Sequence, residues 1–299
     1  MGELEQLYSG LTIHRGKRLN YIGMVFDYSK DDRRVIITMD GYIIDLLEFC
    51  TDITGIAETP ATKDLFVVRD AAAKLDSSKK EHYHTLTAKL LYLSKRVRPD
   101  ILTAISFLAR RVQSPDVDDE KKLHRVVRYI RGSRELGLRL SAESVSIFAY
   151  VDASYGVHSD MKSHTGAVIG LGKGPIYTKS SVQKLNSTSS TEVELIALSD
   201  STAQIIWTRN FLIELGYDVG AATVYQDNQS TIKLVQNGKS NSGRTRHIAI
   251  RYFFVADRIS TGEIKVEYMA TGEMIADILT KPLQGNLFRK LRTTLMGWD

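Results

Sequence analysis

Residues 223–235, TVYQDNQSTIKLV, change hydrophobic period in mid-segment. Thr223, Val224 and Tyr225 form a β-branched and aromatic run that suits a buried strand. Ile232, Leu234 and Val235 then recur at helical spacing. A strand that hands over directly to a helix points to α/β architecture. Asp227 stands at the changeover and has two readings. It is a helix cap, since Asp, Asn and Ser are favoured at N-termini, or it is a metal-ligating acid at a strand end.

Other acids share this placement. Asp152 follows Ala149, Tyr150 and Val151, Glu194 lies between Val193 and Leu195, and Asp277 follows Ile275 and Ala276. Each acid alone reads equally well as a cap or a surface carboxylate. Taken together they demand an account, because a buried carboxylate is costly unless it is paired or bound to a cation. If the strands of Asp152 and Asp227 are neighbours in one sheet, their carboxylates converge and repel, and their pKa values rise. A divalent ion removes that cost. All-oxygen ligation favours Mg²⁺ or Mn²⁺ over Zn²⁺.

The chain has 299 residues, enough for two domains and two sizeable cores. Its formal net charge of +5 and pI of about 9.1 are compatible with a polyanionic partner. A single cysteine, Cys50, excludes an intramolecular disulfide framework and a Cys-rich zinc site, and fits a reducing compartment. No apolar run is long enough to span a membrane. The opening MGELEQLYSG has neither a signal-peptide plan nor, with Gln6, a myristoylation pattern.

Three segments are expected. Residues 1–59 read as two strands around the polar turn SKDDR, followed by a helix over GYIIDLLEFC. Residues 60–140 read as successive amphipathic helices, with Pro99 and Pro115 at starts and Gly132 at a stop. Residues 141–299 read as a strand ending in Asp152, two further strands and a long helix over STEVELIALSDSTAQIIWTRNFLIELG. The strand and helix around Asp227 follow, then the helix TRHIAIRYFFVADRIS, the strand EIKVEYMA and a last short helix over EMIADILTKPL. A mixed five-stranded sheet follows, with strands one to three an antiparallel meander, the Asp227 strand parallel beside the Asp152 strand, and helices on both faces. Cations crowd residues 89–134, among them Arg110, Arg111, Lys121, Lys122, Arg125 and Arg128. Singly they read as solvated helix faces; together they suggest a surface that tracks a phosphate backbone.

YVDAS, KSHTGAVIGLG, SSTEVELIALSDS, VYQDNQSTIKL, RTRHIAIRYFFV and ADILTKPL occur in an order and at spacings that resemble the ribonuclease H domain of Ty1/copia-type retrotransposon polyproteins. HTLTAKLLYLSKRVRPDI and RVVRYIRGSRELGLRL resemble the helical thumb or connection between polymerase and nuclease. NYIGMVFDYS and VIITMDGYIIDLL resemble the end of the polymerase palm. The resemblance implies that Asp152, Glu194, Asp227 and Asp277 are both catalytic acids and metal ligands. Two Mg²⁺ ions, or Mn²⁺ in their place, would be bridged by Asp152. It implies endonucleolytic hydrolysis of RNA in an RNA–DNA hybrid, with the rest of the polyprotein as a further partner. The implied location is the cytoplasm, within virus-like particles, or the nucleus. Arg244, Arg246, His247 and Arg251 would contribute to the nucleic-acid surface, or would form an exposed helix face. Lys281 lies in the motif without an assigned role.

The Tyr-x-Asp-Asp pair of the family's polymerase site does not occur in this sequence, so no primer extension is expected. Val117-Asp118-Asp119 follows Pro115 and reads as a helix N-terminus, and Asp31-Asp32 as a polar turn. The chain is expected to begin after most of the palm and to lack the protease and integrase parts. Residues 1–59 would then be poorly supported, with Ile22, Val25, Ile36 and Ile43 exposed. Two alternatives to the hydrolase remain: a weak or inactive nucleic-acid-binding fragment, and a junction or DNA nuclease of the same fold.

Overall fold

The computed structural model describes residues 14–29, 33–142, 144–237 and 246–299. The SKDDR turn with Asp31 and Asp32 lies largely outside the described residues. Two sheets are present among those that are described. In the first, β1 (Arg18–Tyr21), β2 (Met24–Ser29), β3 (Arg34–Thr38) and β4 (Leu138–Ser141) pair antiparallel in sequence order. β4 reaches β3 only after the whole helical segment has been traversed. It therefore supports the N-terminal strands with chain that local pattern assigns elsewhere.

The helix α1 (Asp40–Glu48) buries Ile43 and Leu46. Ile43 is thus a core residue rather than an exposed one, a correction to the sequence expectation. Val25 and Ile36 are half-buried, and Ile22 is exposed. The reason is that the chain's own helices cover this region. α2 (Ser77–Arg96), α3 (Leu102–Ala109) and α4 (Val117–Gly132) supply Leu86, Leu90, Ile105 and Val126 to the core that receives Ile43. Asp116 and Asp119 form a capping box at the head of α4. Arg111 pairs with both carboxylates at 3.0 Å. The Asp118-Asp119 pair is therefore a helix N-terminus, as its context suggests.

The second sheet has the order β7-β6-β5-β8-β9, with β5 (Phe148–Ser154), β6 (His164–Gly170), β7 (Tyr177–Val182), β8 (Ala222–Gln226) and β9 (Ile264–Tyr268). β5, β6 and β7 are an antiparallel meander, β8 runs parallel to β5, and β9 runs parallel to β8. This is the expected mixed five-stranded α/β arrangement. Strand alternation sends Ala149, Val151, Ala167 and Ile169 to one face and Val168 to the other. The first face is covered by α5 (Ser190–Glu214) and α7 (Arg246–Ser260), with α6 (Gln229–Gln236) beside them. Residues Val193 to Ser199 of α5 are buried without interruption, because that stretch lies between β5 and α7.

The opposite face is covered by a 3₁₀ turn, Ile275–Leu279, and α8 (Gly285–Leu295). The turn replaces the short helix expected over EMIADILTKPL, and α8 is an element beyond those expected. Val168, Ile275, Ile278, Leu279 and Phe288 join the same core as α1 to α4. One hydrophobic core therefore runs through residues on both sides of the boundary at 140/141. No helix among the described residues is long and apolar enough to cross a membrane.

A buried ion pair ties these helices together. Arg98 and Asp100, both with fully buried side chains, meet at 2.8 Å. Arg98 also donates to the Ser133 carbonyl at 2.9 Å and to its hydroxyl at 2.7 Å. Leaving one partner uncompensated in such a setting costs about 3–5 kcal/mol. Asp100→Ala is accordingly expected to lower urea-unfolding stability by that amount, and Lys121→Ala, at an exposed pair, by less than about 0.5 kcal/mol. A chain starting at Ser141 strips partners from Ile278, Leu279 and Phe288. It is expected to aggregate or bind a hydrophobic dye, whereas the full chain stays soluble.

Candidate active site

β5 carries Asp152 at its C-terminal end, β8 runs out into Asp227, and the first turns of α5 bring Glu194 over them. One oxygen from each of Asp152, Glu194 and Asp227 lies within 4.8 Å of the others. The parallel pairing of β5 with β8 makes this possible, because both strands end on the same edge. Asp152 and Glu194 are buried and Asp227 half-buried.

Asp227 is not the cap of α6. Asn228 is, its Oδ1 accepting from the Thr231 amide at 3.0 Å. Asp227 Oδ2 instead accepts from Thr271 Oγ1 at 2.8 Å. Ser189 caps α5 in place of the Ser190 or Thr191 expected from the sequence, and Glu192 accepts from the Thr188 amide at 2.8 Å. Glu192 therefore serves the helix start, while Glu194, with Gln226 Nε2 donating to it at 3.1 Å, faces the acids.

Asp277 reaches the cluster from the 3₁₀ turn on the other face of the sheet. Lys281 bridges it to Asp152, with Nζ 2.7 Å from Asp277 Oδ1 and 3.4 Å from Asp152 Oδ2. Thr280 Oγ1 donates a hydrogen bond to Asp152. The turn sits this close because β6 has Gly166 directly opposite Asp152. A Cβ there would lie 2.7 Å from Thr280 Cγ2 and 2.8 Å from the Ala276 carbonyl oxygen. From the helical side, Thr103 of α3 donates to the Ile278 carbonyl at 2.7 Å.

The electrostatics follow from burial and like charge. Burial, and then the negative charge of Asp152, push Glu194 well above the usual carboxylate range. The same two causes push Asp277 up to about 7, although Lys281 opposes them. Burial lowers Lys281, but Asp152 and Asp277 outweigh it and hold the ammonium charged. Among the described residues, one lysine faces four carboxyl groups. The deficit of positive charge, the all-oxygen donor set and the close approach of three ligands fit a divalent cation.

Lys281, Thr280, Gln226 and Thr271 contact the acids, and sequence reasoning leaves them without a role. Their signal is weak because each acts through a neighbour distant in the chain. The adjacency of Lys281 to Asp277 at i, i+4 is the one part readable in advance.

The expected nucleic-acid cations are placed as follows. Arg110 pairs with Asp160 at 3.3 Å, and Arg111 holds the head of α4. Lys121 sits near Asp118 at 3.4 Å, exposed. Lys122 donates to the Val67 carbonyl at 2.6 Å, Arg125 to the Thr59 carbonyl at 3.1 Å and Arg128 to the Thr54 carbonyl at 2.9 Å. Residues 51–69 form no helix or strand, so their carbonyls need side-chain donors, and α4 supplies them. Arg251 pairs with Asp200. Arg244 and the side chains of Arg246 and His247 lie outside the described residues.

Beside the acids lies a buried imidazole relay. His158 Nε2 is 2.9 Å from His164 Nδ1, and His164 Nε2 is 2.7 Å from Ser180 Oγ. Burial, then Arg110, lowers His158 to about 4. Burial, then His158, lowers His164 to about 3. The folded state therefore binds fewer protons than the unfolded chain, whose imidazoles titrate near 6.5. The resulting stability is fully present above about pH 6.5 and is lost as pH falls towards 4. Between pH 7 and 5 the loss should be roughly 2 kcal/mol per imidazole. Urea unfolding of His164→Phe should show a smaller loss over that interval than the parent chain.

No family model matches the chain. Curated relatives do. The chain is 31% identical over 258 residues to the retrovirus-related Pol polyprotein from transposon RE1 of Arabidopsis thaliana, covering 85% of this chain and 17% of the relative. It is 29% identical over 279 residues to that from transposon TNT 1-94 of Nicotiana tabacum, covering 91% and 21%. It is 26% identical over 241 residues to the transposon Ty1-JR1 Gag-Pol polyprotein of Saccharomyces cerevisiae, covering 78% and 14%. The chain thus spans about a fifth or less of these relatives. Among solved structures, the foamy viral protease-reverse transcriptase in complex with RNA/DNA hybrid overlaps 85% of this chain and 29% of its own, at 11% identity and a TM-score of 0.46. LC11-RNase H1, isolated from compost by a metagenomic approach, overlaps 45% and 92%, at 15% identity and a TM-score of 0.34. Strand order and acid placement, as described above, define the fold independently of these overlaps. The homologues of this chain are Ty1/copia-type Pol polyproteins, and their similarity covers most of it.

Proposed function

We propose that the chain hydrolyses the RNA strand of an RNA–DNA hybrid at the Asp152 cluster, using two divalent ions, Mg²⁺ or Mn²⁺. The observation that carries this reading is the convergence of Asp152, Glu194 and Asp227 within 4.8 Å in a buried setting. Homology to Pol polyproteins and the hybrid named for a structural neighbour are consistent with the substrate class. When bound, the ions supply an activated water and stabilise charge on the leaving 3′-oxygen.

The chain's own residues set the stage. Asp152, held by Thr280 and Lys281, would be one of the residues that hold the ions. Gln226 orients Glu194, and Thr271 orients Asp227, so each carboxylate presents a defined oxygen. Burial and the charge of Asp152 favour the protonated forms of Glu194 and Asp277, so a bound cation would compete with protons at these two groups. Lys281 offsets part of the negative charge of Asp152 and Asp277. The exposed Lys121 remains a candidate phosphate contact. Arg110, Arg125, Arg128 and Arg251 would have to share their guanidinium groups with the partners they already hold.

Asp227→Asn keeps shape but removes a charge and a ligand. Hybrid cleavage in Mg²⁺ should fall by about a hundredfold or more, while hybrid binding measured by gel shift survives. In metal-free buffer the melting temperature should hold or rise slightly, because one repelling charge is gone. The rise on adding Mg²⁺ that is expected for the parent chain should shrink in this variant. Parent-like cleavage of hybrid by this variant would reduce Asp227 to a structural residue, and cleavage of a DNA–DNA control would change the substrate class.

A further inference from the structure

The fourth acid of the cluster is held differently from the other three. Oxygens of Asp152, Glu194 and Asp227 converge within 4.8 Å, and among the described residues Asp277 is not part of that group. Asp277 Oδ1 is taken by the ammonium of Lys281 at 2.7 Å. The same ammonium lies 3.4 Å from Asp152 Oδ2. It stands between Asp152 and Asp277, where a cation shared by these two acids would sit.

A permanent structural ion pair is the plain alternative, and the surroundings of Lys281 argue against it. Arg98 and Asp100 form such a pair, with no exposed side-chain surface and with Ser133 completing their hydrogen bonds. Lys281 keeps 35% of its side chain exposed. It also lines a cavity of about 500 Å³, which opens between the irregular segment before α2 and the loop after β5. Its backbone is anchored: the Lys281 amide donates to the Asp277 carbonyl at 2.9 Å, and the Leu283 amide donates to the Lys281 carbonyl at 2.9 Å. The flexible four-carbon stem lets the head group leave the acids for this cavity while the turn stays in place. Charge balance gives such an exchange its direction. Lys281 and one divalent ion offset three of the four negative charges of the ionised acids, whereas two divalent ions offset all four without the lysine.

We propose that Lys281 is a resident counterion that holds the place of a second divalent ion. Asp152, Glu194 and Asp227 are preorganised for one ion in the metal-free chain. A second, held by Asp152 and Asp277, binds only as the ammonium moves out. The two ions load unequally, and Lys281 sets the concentration at which the second is taken up. This regulation rests on the reading of the cluster as a two-ion site.

The test titrates Mn²⁺ into the full chain by calorimetry, without nucleic acid, up to about 10 mM, a range that reaches millimolar affinity. The parent should bind one ion about tenfold or more tighter than a second. Lys281→Met keeps the stem and removes the charge. The second ion should then bind about tenfold or more tighter than in the parent, because a competing positive charge at contact distance is gone. In EDTA this variant should melt below the parent, and added Mn²⁺ should raise its melting temperature by more than it raises the parent's. Lys281→Arg, which keeps the charge, should keep the weak second ion. Should Lys281→Met fail to fold, Lys281→Gln, whose amide can still donate to Asp277, decides by the same comparison. Two equal ions in the parent, or a second ion no tighter in the uncharged variant, overturns the proposal and leaves Lys281 a structural support. If loading responds as expected in a chain that leaves hybrid uncut, the hydrolytic reading falls and the counterion stands. If hybrid is cut while loading ignores the charge at position 281, the counterion falls and the hydrolytic reading stands. A parent chain that binds no ion overturns both.

Discussion

The docking of residues 275–281 on the sheet is the contact on which the rest depends. Gly166 leaves the space, Thr103 fixes the Ile278 carbonyl, and Ile278 and Leu279 bury themselves in the helical core. In one move this places Asp277, Thr280 and Lys281 against Asp152. It also covers the face of the sheet that α5 and α7 leave open. The geometry of the acid cluster is thus set partly by a helix, α3, through its hold on the turn. A side chain at position 166 would separate the turn from the strand before it altered anything chemical.

Two buried charge arrangements show opposite solutions to one problem. Arg98 and Asp100 are removed from water together, and the hydroxyl and carbonyl of Ser133 complete their hydrogen bonds. That pair is satisfied within the protein and holds helices in place. The carboxyl groups at Asp152 are not. Lys281 offsets part of their charge, and burial with mutual repulsion drives Glu194 and Asp277 towards the protonated state. An arrangement that is incomplete without a cation is what a metal-dependent site requires, and what a purely structural cluster avoids.

The basic helices have a structural occupation that their composition conceals. A long irregular segment must satisfy its carbonyls, and Lys122, Arg125 and Arg128 of α4 do so at Val67, Thr59 and Thr54. The same segment then forms one wall of the cavity beside the acids. Positive charge in this region therefore shapes the site's surroundings as well as its field. A charge count over residues 89–134 does not separate these roles, because the acceptors are backbone oxygens that carry no sequence signature.

Local pattern alone determined the elements of the second sheet. The change of period at Asp227, the apolar run into Asp152 and the long amphipathic helix bearing Glu194 each follow from side-chain spacing, and the strands and helices are where that spacing puts them. Candidate acids were legible for the same reason: a carboxylate among apolar neighbours is conspicuous. Tertiary structure alone decided what surrounds them. The exposure expected at Ile43 gave way to burial because helices distant in sequence cover it. β4 joins β3, α8 shares a core with α3, and His158 meets His164 and Ser180 through contacts between separate segments. Periodicity reports which face of an element is apolar, but not which partner covers it. Partner choice depends on packing and hydrogen bonding between elements far apart in the chain, and that information appears only when the chain is folded.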